Sequence, residues 1–355
     1  MKKILLACYL AVLSSSVFAQ ETKGLAFYHE DWEIYCSNTG TCRAAGYYQV
    51  YSDDEPASLL LTRQAGARQP VQVEFALSRF QEVSMPAAKL KNIHFYVNGK
   101  DLGQVVLEKG TDFPVMGKLS ANQVKALLQQ PKKTTKIVFK NTNLQWQISD
   151  TGMAAVLLKM DDFQKRIDTV GALIQKGKAD ESNVLAAQPK LIVKQIKTSS
   201  KPYLTLRPSD KRYAALYQNL MANQPVPKKE EFCRGAYNGK QTAPQAIDLY
   251  KLTNKKVLAA TLCWQGAYNE GYGAWVLDES LTNQATFVTE HSTDFHAGIL
   301  SSAQKGRGFG DCWSSDEWVW DGQQFVHTKD RWTGMCRNLA AGGIWDLDQI
   351  EAVVK

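Results

Sequence analysis

The stretch WEIYCSNTGTCRAAGYYQVY, from Trp32 to Tyr51, decides the fold class. Its first arm, Trp32-Glu33-Ile34-Tyr35, and its last, Tyr47-Tyr48-Gln49-Val50-Tyr51, consist mainly of aromatic and β-branched residues that suit a pleated strand. Ser37-Asn38-Thr39-Gly40 between them is turn chemistry. A hairpin with Cys36 and Cys42 on its two arms is expected. The same signals recur downstream. Val71, Val73, Phe75 and Leu77 alternate along one face, and Ile93 to Val97, Val105 to Leu107 and Ile137 to Phe139 read as further short strands, with Asn98-Gly99 as a hairpin turn.

Helices interrupt these strands. Ser120 and Gln123 fit a capping box, Val124, Leu127 and Leu128 supply an apolar stripe, and Pro131 is the stop. A second helix is expected from near Asp161, with Phe163, Ile167, Val170 and Ile174 on one face and Gly177 closing it. The polar run from Lys176 to Asn183, followed by Gln188-Pro189, marks a domain boundary. Beyond it a short strand, Leu191 to Val193, and a helix from Ser209 to Met221 lead into a Gly-, Trp- and Tyr-rich region with the spacing of antiparallel strands and long loops. The expected fold is therefore α+β and β-rich: two domains of mainly antiparallel sheet with a few packed helices and three disulfides. They would occupy residues 20–180 and 201–355, joined by a connector at 181–200.

The N-terminus supplies an address. Lys2 and Lys3 precede an apolar run from Ile4 to Leu13, and residues 1–19 read as a signal peptide cleaved after Ala19, which predicts a periplasmic or secreted chain. Of seven cysteines, Cys8 lies in that leader, leaving Cys36, Cys42, Cys233, Cys263, Cys312 and Cys336. An even number in an exported chain predicts disulfides. Sequential pairing follows from position: Cys36 and Cys42 flank one turn, Cys233 and Cys263 share a subregion, and Cys312 and Cys336 bracket the Trp-rich strands. No later apolar run reaches the roughly 20 residues that span a bilayer. The formal charge of +7 drops to +5 without Lys2 and Lys3, and the basic run between Val184 and Glu230 reads as a solvated face. Outside the cytoplasm a nucleic-acid partner is not expected.

Five blocks carry a resemblance. WEIYCSNTGTCRAAGY from Trp32, GMAAVLLKMDDFQKRIDTVGALIQKG from Gly152, CWQGAYN from Cys263, KGRGFGDCWSSDEWVWDGQQF from Lys305 and the pair Cys336-Arg337 resemble the secreted bacterial family called domain of unknown function 1176. The N-terminal half is more distantly similar to invasion-associated locus B proteins, which are small, exported and β-rich. The resemblance implies location and layout, and no mechanism.

Motifs of known chemistry are weak. His291 and His296, five apart, point to opposite faces of a strand, and zinc sites use tighter spacing and more ligands, so neither a metal nor a cofactor is expected. There is no Gly-x-Ser-x-Gly elbow. Gly306-Arg307-Gly308-Phe309-Gly310 lacks the pattern of a phosphate loop and reads as a tight turn that places Arg307. Aromatic density is the best functional sign. Trp313, Trp318, Trp320, Trp332 and Trp345 crowd the C-terminus, and Trp318 and Trp320 would share one strand face. Exposed indoles beside a rigid arginine suit a sugar ring or a protein partner, although a β domain also needs such rings in its core. The expected function is that of a non-enzymatic envelope or host-facing binding protein for a glycan or protein, with Arg307, Trp313, Trp318 and Trp320 as its binding residues. The alternative is a hydrolase of envelope glycan or peptide using Asp311, Asp316, Glu317 or Asp321, which requires two converging carboxylates.

Overall fold

The computed structural model describes residues 24–80, 90–108, 113–129, 134–224, 233, 236–237, 240–241 and 244–355. The signal peptide and the helix stop at Pro131 lie outside the described residues. Five strands open the chain, each antiparallel to the last: β1 (Leu25–His29), β2 (Trp32–Cys36), β3 (Cys42–Tyr47), β4 (Ala57–Arg63) and β5 (Val71–Leu77). The hairpin of β6 (His94–Val97) and β7 (Lys100–Gln104) follows, then β8 (Val106–Leu107) and β9 (Val115–Lys118), which return beside β5 and give the order β1-β2-β3-β4-β5-β9-β8. α1 (Ala121–Leu128) begins at the expected capping box, Ser120 N–H donating to Gln123 Oε1 at 2.8 Å and Gln123 N–H to Ser120 Oγ at 3.4 Å. β10 (Ile137–Lys140) and β11 (Gln145–Ile148) complete a second sheet, β11-β10-β6-β7.

Alternation along β3, β4 and β5 gives the first sheet two apolar faces. Ala44, Leu59, Leu61, Val73 and Phe75 pack toward Phe95, Phe139 and Trp146 of the second sheet and toward α2 (Met153–Phe163). Ala45, Tyr47, Leu60 and Ala76 face the other way, and there the cover is Leu339, Trp345 and Leu347 from the far end of the chain.

Two local expectations fail. Tyr47 ends a strand instead of starting one, because the Cys36–Cys42 bridge, with Cα atoms 4.0 Å apart, sets the hairpin register directly at the cysteines. The chain then leaves the sheet, and Tyr51 is fully exposed with φ +69°. The second helix also lies earlier than the apolar spacing suggested. It ends at Phe163, and the following segment folds back on itself with Lys165 and Asp168 in the left-handed region; Val170, assigned to the buried face, is 62% exposed. What breaks the helix is a set of buried polar groups. Asp161 accepts the backbone N–H groups of Leu173 and Ile174 at 2.7 and 2.9 Å, and Arg166 pairs with Glu181.

The second half opens with β12 (Leu191–Val193), which pairs in parallel with the last strand, β25 (Ala352–Val354). β13 (Leu204–Leu206), α3 (Tyr213–Ala222), β14 (Ala236–Tyr237), β15 (Lys240–Gln241), β16 (Ile247–Lys251), β17 (Lys256–Gln265), β18 (Glu270–Asp278) and β19 (Thr286–Ser292) follow. The strands among these form one sheet around β17, and α3 covers one face of it through Tyr213, Leu216 and Leu220. β20 (Asp294–His296), β21 (Ile299–Lys305), β22 (Trp313–Trp320), β23 (Phe325–Trp332) and β24 (Leu347–Ile350) make an antiparallel sheet that packs Leu300 and Trp320 against Leu258 and Ala274 of the other face. The fold is thus β-rich with mainly antiparallel sheets and packed helices, and the cysteines pair sequentially as Cys36–Cys42, Cys233–Cys263 and Cys312–Cys336. Among the described residues no helix is long and apolar enough to cross a membrane.

Candidate functional site

Arg307 sits in the loop between β21 and β22, and the glycines around it are there for space. A Cβ on Gly306 would lie 2.6 Å from Cys312 Sγ and 2.8 Å from the Trp332 ring, so the Cys312–Cys336 bridge requires glycine at that position. Arg307 donates from Nε to Asp311 Oδ1 at 2.7 Å and from NH2 to Asp311 Oδ2 at 2.5 Å and Asn338 Oδ1 at 2.6 Å. Burial would raise the Asp311 carboxyl, but the guanidinium and the Asn338 N–H outweigh it and hold it below its ordinary range. This fork of charged hydrogen bonds fixes the loop.

Phe309, one residue past Gly308, is 84% exposed, with the Arg307 guanidinium 5.4 Å from its ring centre. Tyr268 lies beside Gly308, and its turn is tied down by Asn269, which donates to Lys305 O and accepts from Lys305 N–H, both at 2.9 Å. On the other side the Tyr48 hydroxyl hydrogen-bonds the Asn338 side chain, and the exposed Phe80 meets the Tyr48 ring edge-on at 5.8 Å. Contacts therefore run from Phe80 through Tyr48, Asn338 and Arg307 to Phe309 and Tyr268. The three exposed rings were not anticipated. Phe309 had a sequence signal, since a large apolar residue between Gly308 and Gly310 has no strand neighbours to pack on; Phe80 and Tyr268 had none.

The four residues expected at the site separate. Trp313 stays beside the loop, half-buried, its Nε1–H donating to Gly310 O at 2.9 Å and Lys305 Nζ 5.4 Å from its ring centre. Trp318 and Trp320 do share a face of β22, but that face is turned to the neighbouring sheet. Trp320 is fully buried, donates to Thr253 Oγ1 at 2.9 Å, and is a core residue, not a binding residue. Trp318, nearer the edge, stacks on His327 with centroids 4.6 Å apart and lines a cleft of about 300 Å³.

Against this geometry, the family described as "Protein of unknown function (DUF1176)" matches residues 26–350. The chain belongs to this family. It is also 22% identical over 365 residues to "Uncharacterized protein YpfG" of Escherichia coli (strain K12), with 97% of each chain covered. No solved structure matches it.

In this family member the Arg307 loop is joined to the N-terminal sheet through a buried carboxylate. Glu33, on β2, accepts from Tyr47 Oη–H at 2.5 Å, Met335 N–H at 2.8 Å and Trp332 Nε1–H at 3.1 Å, while Arg337 reaches Asp31 at 2.9 Å. Burial lifts the Glu33 carboxyl from 4.5 to about 6, against those hydrogen bonds and the Arg337 charge. The folded protein then binds this proton more tightly than the unfolded chain does. Its contribution to stability is complete below pH 4.5 and is lost as pH rises to about 6, a difference of about 2 kcal/mol. Unfolding titrations of the parent and Glu33→Gln across that window should diverge by this amount. Parallel pH profiles would place the proton elsewhere.

The remaining acids have partners. Asp316 Oδ1 is 3.0 Å from His327 Nε2, Glu317 Oε1 is 3.3 Å from Lys329 Nζ, and Asp321 Oδ1 accepts the N–H groups of Gln323 and Gln324. Among the described residues Asp311, Cys312 and Cys336 come within 4.8 Å of one another, but the two sulfurs are bonded together and Asp311 to Arg307, so this group is not a metal site.

Proposed function

We propose that this chain is an exported binding protein, periplasmic or secreted, that recognises a protein of the envelope or of a host surface through Phe309, Arg307 and Tyr268. The reading needs no cofactor, metal or nucleic acid. Phe309 carries it: a large apolar ring stands exposed on a loop held by an ion pair, a disulfide and the Asn269 clamp. Rigidity lowers the ordering cost of association, and aromatic and arginine side chains dominate interface hot spots. Disulfides support an oxidising compartment.

With the mature protein as bait in envelope extract, Phe309→Ala should weaken capture of the partner about 30-fold, the loss of a 2 kcal/mol hot spot. Folding stability should stay within about 0.5 kcal/mol of the parent. A captured set unchanged by the substitution contradicts the assignment.

One observation favours a second reading, a hydrolase of envelope glycan or peptide. Asp316 and Asp330 face each other across β22 and β23, and burial, then the Asp316 charge, raises the Asp330 carboxyl. Glycosidases use such unequal acid pairs. Release of peptidoglycan fragments by the parent but not by Asp330→Asn would support it.

A further inference from the structure

The cleft beside Trp318 lies between the tip of the β22–β23 hairpin and the β17–β19 strands, and none of its lining residues belongs to the Phe309 loop. Trp318, Phe287 and Phe325 supply aromatic rings to its lining. Its lining also carries the exposed Gln323 and Gln324, whose amide groups can both donate and accept. Its one lysine is matched, Lys256 Nζ lying 2.6 Å from Asp278 Oδ1, and His327 Nε2 is hydrogen-bonded with Asp316 Oδ1 at 3.0 Å. The walls are pinned as well. Asn254 Nδ2–H donates to Gly322 O at 2.7 Å, and the Trp318–His327 stack fixes both rings.

We propose that this cleft binds one ring of a neutral glycan. Its volume of about 300 Å³ is at the small end for ligand sites and suits a single pyranose rather than an extended ligand. An aromatic ring takes the C–H face of a sugar, and amides that donate and accept match hydroxyls that do the same. With Lys256 paired with Asp278, the lining offers no free Lys or Arg to an anion. The inference does not depend on the Phe309 face, and a glycan held here would leave that face open to a protein.

The test uses the mature, disulfide-bonded protein titrated with three neutral tetrasaccharides, of N-acetylglucosamine, β-1,4-glucose and α-1,4-glucose, and with heparin as the anionic comparison, read by tryptophan emission and calorimetry. At least one neutral oligosaccharide should bind saturably. Trp318→Ala should weaken it about tenfold or more, equivalent to about 1.4 kcal/mol. Because Trp318 also packs on His327, Gln324→Ala at the exposed rim is the companion variant, expected to weaken binding several-fold with an unchanged melting curve, whereas Phe309→Ala should bind as the parent does. Failure of every neutral oligosaccharide, binding indifferent to both cleft substitutions, or binding of heparin alone overturns the proposal.

Discussion

Trp320→Ala should cost about 3–5 kcal/mol of folding stability, the range for removing a large aromatic side chain from a packed core. The ring has no exposed surface, fills the space between the β20–β24 sheet and the β16–β19 sheet against Leu258, Ala274 and Leu300, and leaves the Thr253 hydroxyl without its donor when removed. Trp318→Ala, two residues earlier on the same face, removes a half-buried ring at the edge and should cost clearly less. Equilibrium denaturant unfolding of the two variants side by side decides the point. Equal losses would mean that the two rings share one environment, and the cleft beside Trp318 would then be part of the core.

Arg166→Met is expected to be as damaging, again by about 3–5 kcal/mol, although Met is apolar and of similar length. Arg166 is fully buried; it pairs with Glu181, donates from Nε to Gln164 Oε1 at 3.0 Å and from NH2 to Gly66 O at 2.6 Å. Removing it takes the nearer of two cations from the Glu181 carboxylate, which is itself buried and keeps only Arg63 NH2 at 3.8 Å and the Arg68 N–H at 2.6 Å. Adding Glu181→Gln to Arg166→Met should restore a large part of the loss, because the excess buried negative charge goes with it and Arg63 is left balanced by Asp161. A single substitution that costs under about 1 kcal/mol, or a double variant no better than the single, would show that the pair is not what holds residues 161–181 in place.

The same residues show where sequence reading stopped. The Trp32–Cys42 hairpin and the α1 capping box were legible because each is decided by residues close together in the chain, and the disulfide pairing because each cysteine bonds the next one in sequence. The helix placed from Asp161 was not. Its spacing of apolar residues was real, but Asp161, Gln164 and Arg166 gain more from burial with Glu181 and with backbone partners in the first sheet than from an exposed helical turn. Trp320 was read correctly as sharing a face with Trp318, yet which side of β22 meets solvent depends on a second sheet whose position no local pattern reports. Arg307 was found from its glycines. Its neighbours Tyr48 and Phe80, and the junction of Glu33 with Trp332 and Met335, are brought in from the opposite end of the chain, and no short-range signal encodes them.

The most direct test of a protein-recognising Phe309 face is a photo-crosslinker at position 309, introduced as benzoylphenylalanine in cells that export the chain, with position 170 as the control because Val170 is also exposed but belongs to a different loop. A discrete protein adduct is expected from position 309 after irradiation and none from position 170. No adduct at 309, or the same adducts from both positions, would contradict it.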